Sequence, residues 1–184
     1  MIDHGSGIPI VLVPGIQGRW EWMQRAADAL ATQNRVTTNS LPSEPGSIAS
    51  INAKRGFGSF IDWLDQLLVR ANVDAVALCG VSYGGWIAVH YAATRPSKIL
   101  SLSLVSTPSP NWQPSSRIER YLRTPRLMAS VFAASSPFRL YPEVAVAFPS
   151  LRKRLRFAAE YLARAVTSPA TPARMAERMR LAPT

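Results

Sequence analysis

Residues 75–94 read AVALCGVSYGGWIAVHYAAT, an apolar run that passes without a spacer into a glycine-flanked serine and then into a helical pattern that Pro96 stops. Strand, tight turn and helix in direct succession belong to a sheet built from crossover units, and the first hundred residues repeat that alternation. Ile8 to Val13 is a strand and PGIQG after it a turn; Trp20, Met23, Ala27 and Leu30 then fall at helical spacing. Arg35 to Leu41 is a second, partly polar strand, followed to about residue 56 by a loop rich in Pro, Ser and Gly. Phe60, Leu64, Leu67 and Leu68 mark a helix over Phe57 to Arg70; Ala75 to Cys79 is a third strand, Gly84 to Thr94 a helix and Ile99 to Val105 a fourth strand.

The texture changes at STPSPNWQPSS, residues 106–116, which divides a sheet-forming region (1–108) from a helical one (109–184). Ser150 is the expected N-cap of a helix on which Leu151, Leu155, Ala158, Leu162 and Val166 share a face. Thr171-Pro172 opens another, with Met175 and Met179 on its apolar side. The net charge of +10 is uneven: residues 1–110 carry eight basic and seven acidic side chains, residues 111–184 thirteen and four. The excess is mostly arginine spread around helices, with RKRLR at 152–156 its densest point, so it is read as solvated helix faces and no nucleic-acid partner is expected. The run IPIVLVPG is too short to span a bilayer, so no membrane association is expected and a cytoplasmic location is the default. The single cysteine, Cys79, cannot form an internal disulfide and reads as a small buried hydrophobe.

Gly80-Val81-Ser82-Tyr83-Gly84 fits G-x-S-x-G, and the strand before it and helix after it are the setting that the pattern needs for chemistry. On so sharp a bend the serine hydroxyl stands clear of the sheet, and small residues at 80, 84 and 85 let neighbouring backbone come close. Ser82 is therefore the candidate nucleophile. The helix that follows aims free N–H groups at negative charge forming there. A second donor is expected from VPGIQG (13–18), which leaves the carboxyl end of a parallel strand, as Ser82 does. The backbone N–H groups of Ile16 and Tyr83 are the expected oxyanion pair, and Gln17 is a candidate substrate contact.

In these stretches, IVLVPGIQGRW, LCGVSYGGWIAVHYAATRP and ILSLSLVSTPSP, the chain resembles the α/β-hydrolase fold family, and the helices that follow resemble that family's cap. The resemblance implies a three-layer α/β/α sandwich with a mostly parallel sheet, C-terminally incomplete, plus a partial helical cap. Where the family often has His-Gly after the first of these strands, this chain has Pro14-Gly15. The implied activity is hydrolysis of an ester, thioester, lactone or similar carbonyl bond in a small apolar substrate, through an acyl-enzyme on Ser82. Serine at the elbow argues against the dehalogenase and epoxide-hydrolase branches, which the resemblance associates with aspartate there. No metal cluster or phosphate-binding glycine loop stands in the sequence, so no cofactor is implied.

The family's triad runs serine, acid, histidine along the chain, and after Ser82 there is no aspartate and only one histidine, His90. Eight residues along one helix is about 12 Å, so His90 is out of reach of the hydroxyl. His4 precedes the first expected strand, away from the catalytic edge, and Glu119, Glu143, Glu160 and Glu177 all lie in the helical region. Without a base a serine hydroxyl is a weak nucleophile at neutral pH. The expectation is a fragment, ending at RLAPT before the strands that carry acid and base and leaving the sheet's far edge open. The rival is a non-catalytic interaction protein whose basic helices bind an anionic partner.

Overall fold

A computed structural model of the chain describes residues 1–109 and 111–182. Pro110, in the proline-serine loop, and Pro183 and Thr184, in the terminal RLAPT, lie outside the described residues. By its contacts the chain divides into two units, Met1–Trp112 with Glu177–Thr184, and Gln113–Ala176.

The first unit holds a five-stranded sheet. Its spatial order is β1 (Ile2–His4), β3 (Asn34–Thr38), β2 (Ile8–Val13), β4 (Val76–Val81) and β5 (Ile99–Val105). The pairs β2–β3, β2–β4 and β4–β5 are parallel, and β1 runs antiparallel to β3. Alternation along the strands sorts the core into two faces. Val11 and Val13 of β2 and Val76 and Leu78 of β4 pack with helices α2 (Gly58–Ala71) and α3 (Tyr83–Thr94), through Phe60, Trp63, Leu64, Leu67, Ile87 and Tyr91. Leu12, Ile10, Val36 and Cys79 pack on the other face with Ala27 and Leu30 of α1 (Gln24–Leu30). Strands buried on both sides read as continuous apolar runs, which is why IVLV and VALC stood out.

The structure departs from the sequence reading in several places. The sheet has five strands where four were expected: β1 is the addition, and His4 lies inside it, with Nε2 3.6 Å from the Asp28 carboxylate. Three residues give an alternation signal too little length to register. Strand β3 stops at Thr38, three residues before Leu41. Cys79 is half-buried, and desolvation pushes its thiol pKa up, away from thiolate reactivity. Strand β5 is an edge whose residues from Leu100 to Val105 are all exposed, Leu100 at 60% and Leu104 at 47%.

Polar contacts tie α3 and the residues just after it to α2 beyond the core. The Asp65 carboxylate accepts from the Tyr91 hydroxyl at 2.8 Å, from Arg95 Nη2 at 3.0 Å and from Lys98 Nζ at 3.1 Å. Desolvation is the largest single influence on its pKa and raises it, but the hydrogen bonds together outweigh it and hold the group below the ordinary carboxylate value. A carboxyl with a folded pKa below its unfolded one stabilises above the unfolded value, and that contribution is lost as pH falls through the folded one. Asp65→Asn is expected to cost about 1 kcal/mol or less at pH 7. Urea unfolding should show the difference from the parent chain shrinking as the pH falls below about 4. A difference that persisted undiminished into acid would contradict this.

The second unit is helical: α4 (Ser116–Arg123), α5 (Pro125–Ala147), α6 (Leu151–Thr167) and the first residues of α7 (Pro172–Arg180). Ser150 has the extended backbone of an N-cap but its side chain makes no capping bond. Arg154 instead reaches back to the carbonyls that end α5, donating to Phe148 at 2.7 Å and Ala145 at 3.2 Å. The apolar face expected on α6 is exposed at Leu151, Leu155, Ala158, Leu162 and Val166, while Phe157 stacks between Phe148 and Tyr161. Among the described residues, no helix is long and apolar enough to cross a membrane.

Candidate active site

Strands β2 and β4 are neighbours with Val13 opposite Gly80, so the chain leaves both at the same edge of the sheet. From β4 it turns into α3 through Ser82, whose φ of 53° and ψ of −120° are unusual for any residue but glycine. Holding a side chain there costs on the order of 1–3 kcal/mol, so the surrounding structure has to impose it. It does so at close quarters. A Cβ on Gly84 would lie 2.4 Å from the Val13 carbonyl oxygen and 2.5 Å from that of Pro14, so the first turn of α3 is pressed against the end of β2. The Ser82 N–H donates to the Val105 carbonyl at 2.8 Å, tying the bend to β5 as well.

From β2 the chain enters a tight turn closed by the Gly18 N–H on the Gly15 carbonyl at 2.9 Å. A Cβ built on Gly15 would stand 3.5 Å from the Ser82 Cβ and 3.6 Å from Gln17 Oε1, which places this turn directly beside the serine. Ser82, Tyr83, Ile16 and Gln17, picked out from the sequence, therefore occupy one corner of the first unit. Ile16 and Gln17 are half-buried, as is Ser82. Among the described residues the Ile16 N–H has no backbone acceptor, and Tyr83, at the first position of α3, has no carbonyl one turn earlier in the helix to bond.

The Tyr83 ring is buried among Phe57, Phe60 and Trp86, with edge-on centroid distances of 6.3, 5.8 and 5.7 Å, and desolvation pushes its phenol pKa well above the ordinary range. Trp86 in turn meets Trp112 edge-on and donates its Nε1 to the Pro108 carbonyl at 3.1 Å. The histidines lie elsewhere. His90 is exposed on α3 with its ring 5.0 Å from that of Phe57, and His4 is on β1 at the opposite edge of the sheet from β5.

The residue that sequence reasoning missed is Arg178. Counted there among solvated helix-face arginines, it is wholly buried, with Nη1 donating to the Ile16 carbonyl at 3.0 Å and Nη2 to Glu44 Oε1 at 2.5 Å. Nη2 also lies 3.5 Å from the Pro42 carbonyl, and the residue's own carbonyl accepts from the Tyr83 hydroxyl at 2.8 Å. Gly18, at φ +77°, makes room for the guanidinium: a Cβ there would meet three of its atoms within 2.7 Å. Glu44, equally buried, lies in the proline-serine-glycine loop where no periodic pattern singles it out.

Three solved structures show how far this architecture is shared. A carboxylesterase from the thaumarchaeon Nitrososphaera gargenis is 26% identical, with a TM-score of 0.56 over 70% of this chain and 48% of its own. A thermophilic esterase from Thermogutta terrifontis is 23% identical, with a TM-score of 0.66 over 98% and 65%. A hydrolase from Pseudomonas aeruginosa is 17% identical, with a TM-score of 0.70 over 98% and 66%. The present chain spans from about half to about two thirds of the length of these proteins. No curated protein matches it. The sequence profile described as alpha/beta hydrolase fold matches residues 8–175, nearly the whole chain. The chain belongs to the alpha/beta hydrolase fold family.

Proposed function

We propose that this chain carries the nucleophile and oxyanion hole of a serine hydrolase acting on an ester, thioester, lactone or similar carbonyl bond in a small apolar substrate. The observation that carries this is the backbone of Ser82, held at φ 53° on the strand-to-helix bend directly beside the 15–18 turn. The Ser82 hydroxyl attacks the carbonyl carbon while its proton passes to a general base. The N–H groups of Ile16 and Tyr83 hold the resulting oxyanion, and the bond to the leaving group breaks as the leaving group takes up that proton. Water then repeats the sequence on the acyl-enzyme. Gln17, at the rim of the turn, contacts the bound substrate. The carboxylesterase that is 26% identical supports the choice of bond.

The general base and its acid partner, on this proposal, come from polypeptide outside these 184 residues. Two observations support that: neither histidine lies at the serine, and β5 presents an open, apolar edge to which further strands can add. The missing base also favours a second reading, a hydrolase-like protein that binds without catalysing.

Turnover of short-chain p-nitrophenyl esters by the 184-residue chain is expected to be low and unchanged in Ser82→Ala. A fluorophosphonate probe with imidazole added as an external base separates the two readings. Ser82 Oγ forms the bond to phosphorus, fluoride departs and imidazole takes the proton, adding the phosphonyl mass to the intact chain. Labelling that depends on imidazole and is absent from Ser82→Ala supports the hydrolase. A chain that stays unlabelled supports the binding protein, and robust Ser82-dependent turnover without imidazole would show that the chain holds its own base.

A further inference from the structure

Arg178 touches both members of the oxyanion pair. Its guanidinium holds the carbonyl of Ile16, and its carbonyl holds the hydroxyl of Tyr83. The two contacts reach 162 and 95 residues back along the chain, so one residue late in the sequence joins the two loops that frame Ser82. The Ile16 carbonyl belongs to the peptide just after the proposed donor N–H. Fixing it on one side, with the Gly18-to-Gly15 hydrogen bond closing the other, fixes the direction in which the Ile16 N–H points. The guanidinium fork reaches Ile16 and Glu44 at once, which a single ammonium cannot do with the same rigidity. A wholly buried ion pair gains little over well-packed hydrophobic side chains of the same volume, so geometry is the benefit that this pair offers.

We propose that Arg178, oriented by Glu44, is the positioning residue of the oxyanion hole. It sets the 15–18 turn, and with it the Ile16 N–H, at the distance from Ser82 that the developing oxyanion requires. The proposal rests on the assignment of Ser82, Ile16 and Tyr83 given above.

The test uses the 184-residue chain and the variants Arg178→Met, Arg178→Lys and Tyr83→Phe, with two readouts. The first is the NMR order parameter of the Gln17 and Gly18 amides, with Val11 and Leu78 as controls, and it needs no chemistry at Ser82. In Arg178→Met the loop amides are expected to fall from the rigid range near about 0.85 to below about 0.6 while the controls stay rigid. Arg178→Lys should lie between, and Tyr83→Phe, which keeps the guanidinium clamp, should leave the loop ordered. The second readout is imidazole-supported phosphonylation of Ser82. Its limiting rate should drop about tenfold or more in Arg178→Met, with probe affinity little changed and partial recovery in Arg178→Lys.

If Arg178→Met does not fold, Arg178→Lys carries the comparison. A loop that stays ordered when the guanidinium is replaced overturns the proposal, and so does an unchanged labelling rate on a loosened loop. A parent chain that never labels while its loop loosens in the variants overturns the Ser82 assignment instead, and reduces Arg178 to a structural clamp.

Discussion

Arg178→Met is expected to lower the stability of the chain by about 3–5 kcal/mol, seen as a large drop in the urea midpoint. Both side chains of the Arg178–Glu44 pair are fully buried, at 2.5 Å, so removing the arginine takes from the buried Glu44 carboxylate a cation hydrogen-bonded to it. The Ile16 carbonyl loses its donor at the same time. Removing both charges together, as in Arg178→Met with Glu44→Met, should recover most of the loss, because the penalty lies in burying a carboxylate that has lost a hydrogen-bonded cation and not in the absence of the pair. A single replacement costing less than about 1 kcal/mol would show that water reaches the pair.

Gly84→Ala is expected to be the other severe substitution. The added methyl would lie within 2.5 Å of two backbone carbonyl oxygens, those of Val13 and Pro14, and backbone cannot turn aside as a side chain can. Overpacking of this kind costs about 1–3 kcal/mol, and more where the surroundings are rigid. Here the collision separates α3 from the end of β2. Stability and the register of Ser82 beside the 15–18 turn should therefore fall together. The checks are a urea midpoint and the rate of imidazole-supported labelling of Ser82. Labelling at the parental rate in a folded Gly84→Ala chain would mean that close contact between α3 and β2 does not set the site.

The turn at Ser82 was legible in the sequence because it is built from local patterns. An apolar run, a G-x-S-x-G turn and a helix are adjacent in the chain, and their geometry follows from sterics within a few residues. The PGIQG turn was legible for the same reason, since it follows directly on IVLV. Strand β1 was not, because a three-residue strand paired with Val36, Thr37 and Thr38 owes its existence to its partner. Nor was the exposure of the α6 apolar face, since periodicity reports that a face is apolar and not that anything covers it.

The sequence by itself determined the succession from β2 to β5 and the strand-to-helix bend at Ser82, since both depend on neighbours a few positions apart. Only the tertiary structure decided that Arg178, one arginine among many in a basic helical stretch, is buried against Glu44 and the carbonyl of Ile16. An arginine goes into the interior only where a carboxylate and carbonyls are waiting for it, and here they lie more than a hundred residues away along the chain.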